Sequence, residues 1–85
     1  MVQSHSPHQS RLSTETGVPL YRQLQEILSG QIHSGALVPG DIIPGEMQLA
    51  QRFDVSRITA RRALTELAIG GLVTRKRGRG TIVIE

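Results

Sequence analysis

The sequence predicts a mainly α domain closed by one small β-hairpin. Three observations carry this. Apolar residues recur at helical spacing in three separate stretches, glycine and proline punctuate the gaps between them, and a run of β-branched residues flanks a glycine turn near the C-terminus.

Residues Met1 to Thr16 are polar, rich in Ser, His, Gln and Thr, and lack both helical and strand periodicity, which predicts a disordered arm over 1–16. The ordered domain is then expected over 17–85. Pro19 suits the first position of a helix, where its missing N–H is no loss. Leu20, Leu24, Ile27, Leu28 and Ile32 follow on one face, and Gly35 stops the helix. Two Pro-Gly pairs, Pro39-Gly40 and Pro44-Gly45, bracket Asp41, Ile42 and Ile43, a stretch just long enough for a minimal strand.

A second short helix is expected over about 46–53, with Met47, Leu49, Ala50 and Phe53 as candidate core positions, and a tight turn at Asp54-Val55. Ser56 caps a third helix reaching Ile69. Its Ala60, Ala63, Leu64, Leu67 and Ala68 fall on one face, and Ile58, Arg61, Arg62 and Thr65 on the other. Gly70 and Gly71 end it. Residues 72–75 and 81–84 then form the hairpin about a turn at Gly78, Arg79 and Gly80. Three helices followed by a hairpin is the order of a winged helix-turn-helix.

Composition narrows the chemistry. The chain has 85 residues, room for a single core, and only two aromatic residues, Tyr21 and Phe53, so packing rests on Leu, Ile, Val and Ala. With no cysteine, neither disulfides nor thiolate metal sites hold it together. His5 and His8 stand three apart in the arm, but two imidazoles fall short of the three or four ligands of a zinc site, so no metal or cofactor is expected. Catalysis would need convergent reactive groups, whereas the three histidines are scattered at 5, 8 and 33. The span from Gly35 to Gly40 has the glycine spacing of a phosphate-binding loop, yet Asp41 stands where the phosphate-gripping lysine must be. No apolar run approaches the length of a spanning helix and no secretion signal opens the chain, so no membrane partner and a cytoplasmic location are expected.

Charge is distributed unevenly. From Arg52 to Arg79 there are eight basic residues against two acidic ones, while the rest of the chain holds two basic and five acidic, within a net charge of +3. A cation cluster can be a mere solvated face. Here it coincides with the second helix of a helix-turn-helix and with the hairpin tip, as expected of a surface that faces phosphates. The third helix would lie in the major groove of duplex DNA. Ser56 and Thr59 would donate hydroxyls to phosphate. Arg57 and Arg61, one turn apart, would read guanine edges, and Arg62 would lie on the backbone. Arg75, Lys76, Arg77 and Arg79, on a tip whose Gly78 lets the backbone approach closely, would cover the adjacent minor groove or its phosphates. A module binding protein or structured RNA is the competing reading. Sequence-specific RNA recognition usually stacks bases on aromatics, and this hairpin has none.

Several pieces in fixed order go further. Pro19-Leu20-Tyr21, Gly35 through Asp41, Leu49-Ala50, Val55-Ser56-Arg57, Ala63-Leu64, Gly71-Leu72-Val73 and Gly78-Arg79-Gly80-Thr81 together resemble the GntR family of bacterial repressors, over about residues 18–83. The runs Ala60 to Leu64 and Arg77 to Thr81 are most similar to its HutC subgroup. The resemblance implies a homodimer on a palindromic operator, contacts at Ser56, Arg57, Thr59, Arg61, Arg77 and Gly78, and a C-terminal effector domain beyond Glu85 that binds a small molecule. The chain departs from the family pattern at residues 45–48, Gly-Glu-Met-Gln, where Ser-Glu-Arg-Glu is usual. Met47 thereby removes an expected phosphate contact, and Gly45 is a tolerated helix cap. Gly70 also replaces a usual acidic residue, which loosens the helix end.

Overall fold

A computed structural model describes residues 12–84. The elements run α1 (Leu20–Ser34), β1 (Ile42–Ile43), α2 (Glu46–Phe53), α3 (Arg57–Ile69), β2 (Val73–Lys76) and β3 (Gly80–Val83). This is the expected winged helix-turn-helix. The short strand β1 joins the hairpin to make a three-stranded antiparallel sheet in the order β1-β3-β2.

Residues 1–11, and with them His5 and His8, lie outside the described residues. From Leu12 onward the segment assigned to the arm meets α1. Gln23 Nε2 donates to the Ser13 carbonyl at 2.6 Å, Ser13 N–H donates back to Gln23 Oε1 at 3.1 Å, and Leu12 packs against the core.

Pro19 sits one position before the helix rather than at its first residue. Its ψ of 144° is extended, and its carbonyl accepts from the amides of Arg22 and Gln23. Gly35 ends α1 at φ 90°, a left-handed conformation that costs glycine nothing. The connector is then pinned to β3, since Gly40 N–H donates to the Val83 carbonyl and Val83 N–H to that of Asp41, both at 2.9 Å. The Asp41 carboxylate accepts from Val38 N–H at 2.9 Å, so this loop is a structural turn.

Between α2 and α3 the chain turns through Asp54, at φ 57°, and Ser56 caps α3 by accepting from Thr59 N–H at 3.0 Å. Leu24 and Leu28 of α1, Leu49, Ala50 and Phe53 of α2, and Ala60, Ala63, Leu64 and Leu67 of α3 meet in one core. Ala60 and Ala63 are fully buried, and their small side chains let α3 come close to its neighbours. Ile43, Val73 and Val83 close the core from the sheet. Met47, expected in the core, is instead exposed. Two residues before Leu49 lies roughly 200° round the helix, away from the stripe that Leu49, Ala50 and Phe53 bury.

Candidate nucleic-acid interface

The first turn of α2, the first turns of α3 and the hairpin enclose an open cleft lined by Glu46, Met47, Arg57, Arg75, Lys76 and Arg77. Four cations face one carboxylate there. The turn at residues 54–56 starts α3 beside the end of α2, the side chain of Arg57 reaches back to line the cleft with Glu46 and Met47, and Leu64 and Thr81, both buried, anchor α3 and β3 beneath it.

The ten residues singled out from the sequence divide by what they touch. Ser56 is engaged within its helix. Its Oγ accepts from Thr59 N–H and donates to Thr59 Oγ1 at 2.9 Å. Thr59 Oγ1 is the acceptor in that bond and so keeps its own proton to donate. Of the two hydroxyls expected to donate to phosphate, that of Thr59 is therefore the better placed.

Arg61 is forked onto Glu46, with Nε to Oε2 at 3.1 Å and Nη2 to Oε1 at 3.3 Å. This hydrogen bond and the carboxylate's charge raise the Arg61 pKa, so the guanidinium stays a cation. Two of its five N–H groups are used, and three remain for another acceptor. Arg62 points to α1: its Nε donates to Glu66 Oε2 at 3.2 Å, its Nη2 to the Tyr21 hydroxyl at 3.4 Å, and its guanidinium lies 4.2 Å from the Tyr21 ring centroid. Arg75 reaches from β2 to α3, donating to Thr65 Oγ1 at 3.1 Å and to the Arg61 carbonyl at 3.4 Å. It ties the wing to the third helix.

The side chains of Arg57, Lys76, Arg77 and Arg79 are exposed, and none enters an ion pair or side-chain hydrogen bond among the described residues. Gly78, at φ 82°, turns the hairpin between Lys76 and Arg79, and Arg79 N–H closes it onto the Lys76 carbonyl at 2.9 Å. The structure thus gathers Arg57, Arg75, Lys76 and Arg77 around one opening, places Arg61 on Glu46 at its edge, and uses Arg62 and Arg75 to bind elements together.

Sequence reasoning missed two members of this set. Glu46 holds Arg61 from 15 residues away, and Tyr21 carries Arg62 from 41 residues away. Neither separation leaves a periodic trace. The Arg62–Glu66 pair, at i,i+4, is the kind of contact spacing does reveal. Among the described residues no group of His, Cys, Asp or Glu could hold a metal ion, and no helix is long and apolar enough to cross a membrane.

Comparison with known proteins adds an independent line. The HTH-type transcriptional repressor NagR of Bacillus subtilis is 40% identical over 72 residues, covering 85% of this chain and 30% of the relative. The histidine utilization repressor of Klebsiella aerogenes is 45% identical over 67 residues, covering 79% of this chain and 28% of the relative. The chain therefore spans about a third of the length of the curated relatives it matches. Among solved structures, AraR(DBD) in complex with operator ORE1 superposes with a TM-score of 0.76 at 40% identity, covering 85% of this chain and 88% of that one. The GntR-family transcription factor YtrA of Sulfolobus acidocaldarius superposes at 0.80 with 27% identity, covering 86% and 77%. The family model described as "Bacterial regulatory proteins, gntR family" matches residues 20–83, the whole helix-turn-helix and wing, and the chain belongs to that family.

Proposed function

We propose that this chain reads operator DNA for a bacterial transcription regulator, with α3 in the major groove and the wing at the minor groove or along the backbone. One observation carries the reading. Arg57, Lys76 and Arg77, cations without a side-chain partner among the described residues, converge on a single cleft at the N-terminal end of α3, where helix-turn-helix proteins meet base edges, and Glu46 on the wall of that cleft holds the fork of Arg61. The likeness to AraR(DBD), crystallised with its operator, supports the same docking.

In this reading Arg57 and Arg61 contact bases. Thr59, Lys76, Arg77, Arg79 and the backbone at Gly78 contact phosphate or the minor groove, while Arg62 and Arg75 hold the reading surface in shape. Ser56 acts through its cap. The longer protein would bind a palindrome as a homodimer in the cytoplasm, with half-sites about one helical turn, roughly 10 bp, apart. It would repress transcription and respond to a small-molecule effector through a C-terminal domain. Similarity to the histidine utilization repressors supports placing it in the HutC subgroup.

The test is selection from random duplex DNA. The 85-residue chain is incubated with the pool at fixed, near-physiological salt, and the bound fraction is recovered over several rounds and sequenced. Enrichment of a palindromic sequence is expected. Binding without enrichment overturns operator reading, and absence of binding overturns DNA recognition altogether.

A further inference from the structure

Ile58 is the second residue of α3 and is 74% exposed. Taking about 100° per residue, it projects roughly 170° away from the mean direction of Ala60, Ala63, Leu64 and Leu67, the residues that α3 buries. It therefore contributes almost nothing to the core. Nor does helix formation favour it, because a β-branched residue is a poorer helix former than the Lys, Arg, Gln or Glu usual on a solvent face.

A lone exposed isoleucine on a protein surface is ordinary. Its surroundings here are not. Arg57 precedes it, Thr59 follows it, and Arg61 stands one turn on along the same helix, so the apolar group is set among groups that suit a polyanion. Ile58 has no donor or acceptor and cannot itself hold a phosphate. Among the groups that the four bases present in the major groove, the one apolar feature is the 5-methyl of thymine.

We infer that Ile58 is a specificity-determining residue that packs on a thymine 5-methyl group in each operator half-site, beside the bases read by Arg57 and Arg61. The inference rests on the DNA-reading function proposed above. It adds a readout that hydrogen-bonding side chains do not supply: a preference for thymine over cytosine at one position, expressed through a methyl group.

The experiment uses the duplex enriched by selection, with each thymine replaced in turn by deoxyuridine, which keeps every hydrogen-bonding group and removes only the methyl. Binding is measured for the wild-type chain and for Ile58→Ala, whose fold is checked by its melting transition. At one thymine per half-site the wild-type chain is expected to lose about four-fold in affinity, the worth of one methyl-sized group withdrawn from water. Ile58→Ala is expected to bind the thymine and deoxyuridine duplexes nearly equally at that position. Wild-type affinity indifferent to deoxyuridine everywhere, an enriched half-site without thymine, or a methyl effect that persists unchanged in Ile58→Ala would each overturn the role of Ile58. All three leave operator reading standing, whereas failure of the selection itself removes operator reading.

Discussion

The third helix and the tip of the wing both carry a cluster of arginines, yet two of the three on α3 are restrained and those at the tip are not. On α3, Arg61 is forked onto Glu46 and Arg62 is pinned between Glu66 and Tyr21. At the wing, Lys76, Arg77 and Arg79 lack any side-chain partner among the described residues, and Gly78 turns the backbone between them. A restrained fork can be matched to one acceptor geometry, which is what a base edge offers. An unrestrained cation on the wing can follow a phosphate wherever it lies and is then indifferent to sequence, whereas Arg57, equally without a side-chain partner among the described residues, is placed in the first turn of α3, where helix-turn-helix proteins meet base edges. The comparison assigns discrimination to the helix and general affinity to the wing, with Arg75 as the mechanical link between them.

The most severe way to break the comparison is to remove the support both regions share. Leu64 is buried beneath the cleft, on the face of α3 that meets the core, and Leu64→Ala removes its side chain from a small, thin core. Chemical denaturation is expected to show a loss of about 2–5 kcal/mol, which would compromise helix and wing contacts together. A Leu64→Ala chain as stable as wild type would mean that the cleft does not depend on this packing.

Next in size is the effect that separates the two regions. Arg61→Ala is expected to narrow the affinity gap between enriched and unrelated duplexes by roughly ten- to a hundred-fold, the worth of a bidentate base contact. Glu46→Gln leaves Arg61 in place but weakens its orienting partner, and should fall between Arg61→Ala and wild type. Competition binding with the two duplexes measures both. If Arg61→Ala weakens the two duplexes by the same factor, Arg61 holds a phosphate, and discrimination must come from elsewhere on α3.

The expected division of roles follows from what the sequence made legible. Ala60, Ala63, Leu64 and Leu67 announce α3 through their helical period, Gly35 and Ser56 mark helix ends by their chemistry, and the β-branched run at 81–84 announces β3. These signals are local, and each survives in a single strip of sequence. Which arginines are restrained is not local. Glu46 meets Arg61 because α2 packs against α3, and Tyr21 meets Arg62 because α1 packs against α3. Met47 fails for a related reason. Apolar character alone suggested burial, whereas the direction of the buried stripe, set by Leu49, Ala50 and Phe53, turns it outward into the cleft. The site residues could be named from sequence, but their tasks depend on contacts between elements.

The smallest effect probes the wing alone. Lys76→Ala removes one cation that has no partner among the described residues, so the fold loses no side-chain contact of that group. Affinity should fall by a similar factor on enriched and unrelated duplexes. The slope of log affinity against log salt should become shallower by about one, because one fewer phosphate is neutralised and roughly one fewer counterion is released. Titrations at several salt concentrations measure both quantities. A Lys76→Ala chain that loses affinity only for the enriched sequence, with its salt slope unchanged, would make the wing a reader of sequence and dissolve the contrast with α3. An unchanged ratio between the duplexes with a shallower slope would instead fix the wing as the region that holds the backbone while α3 reads.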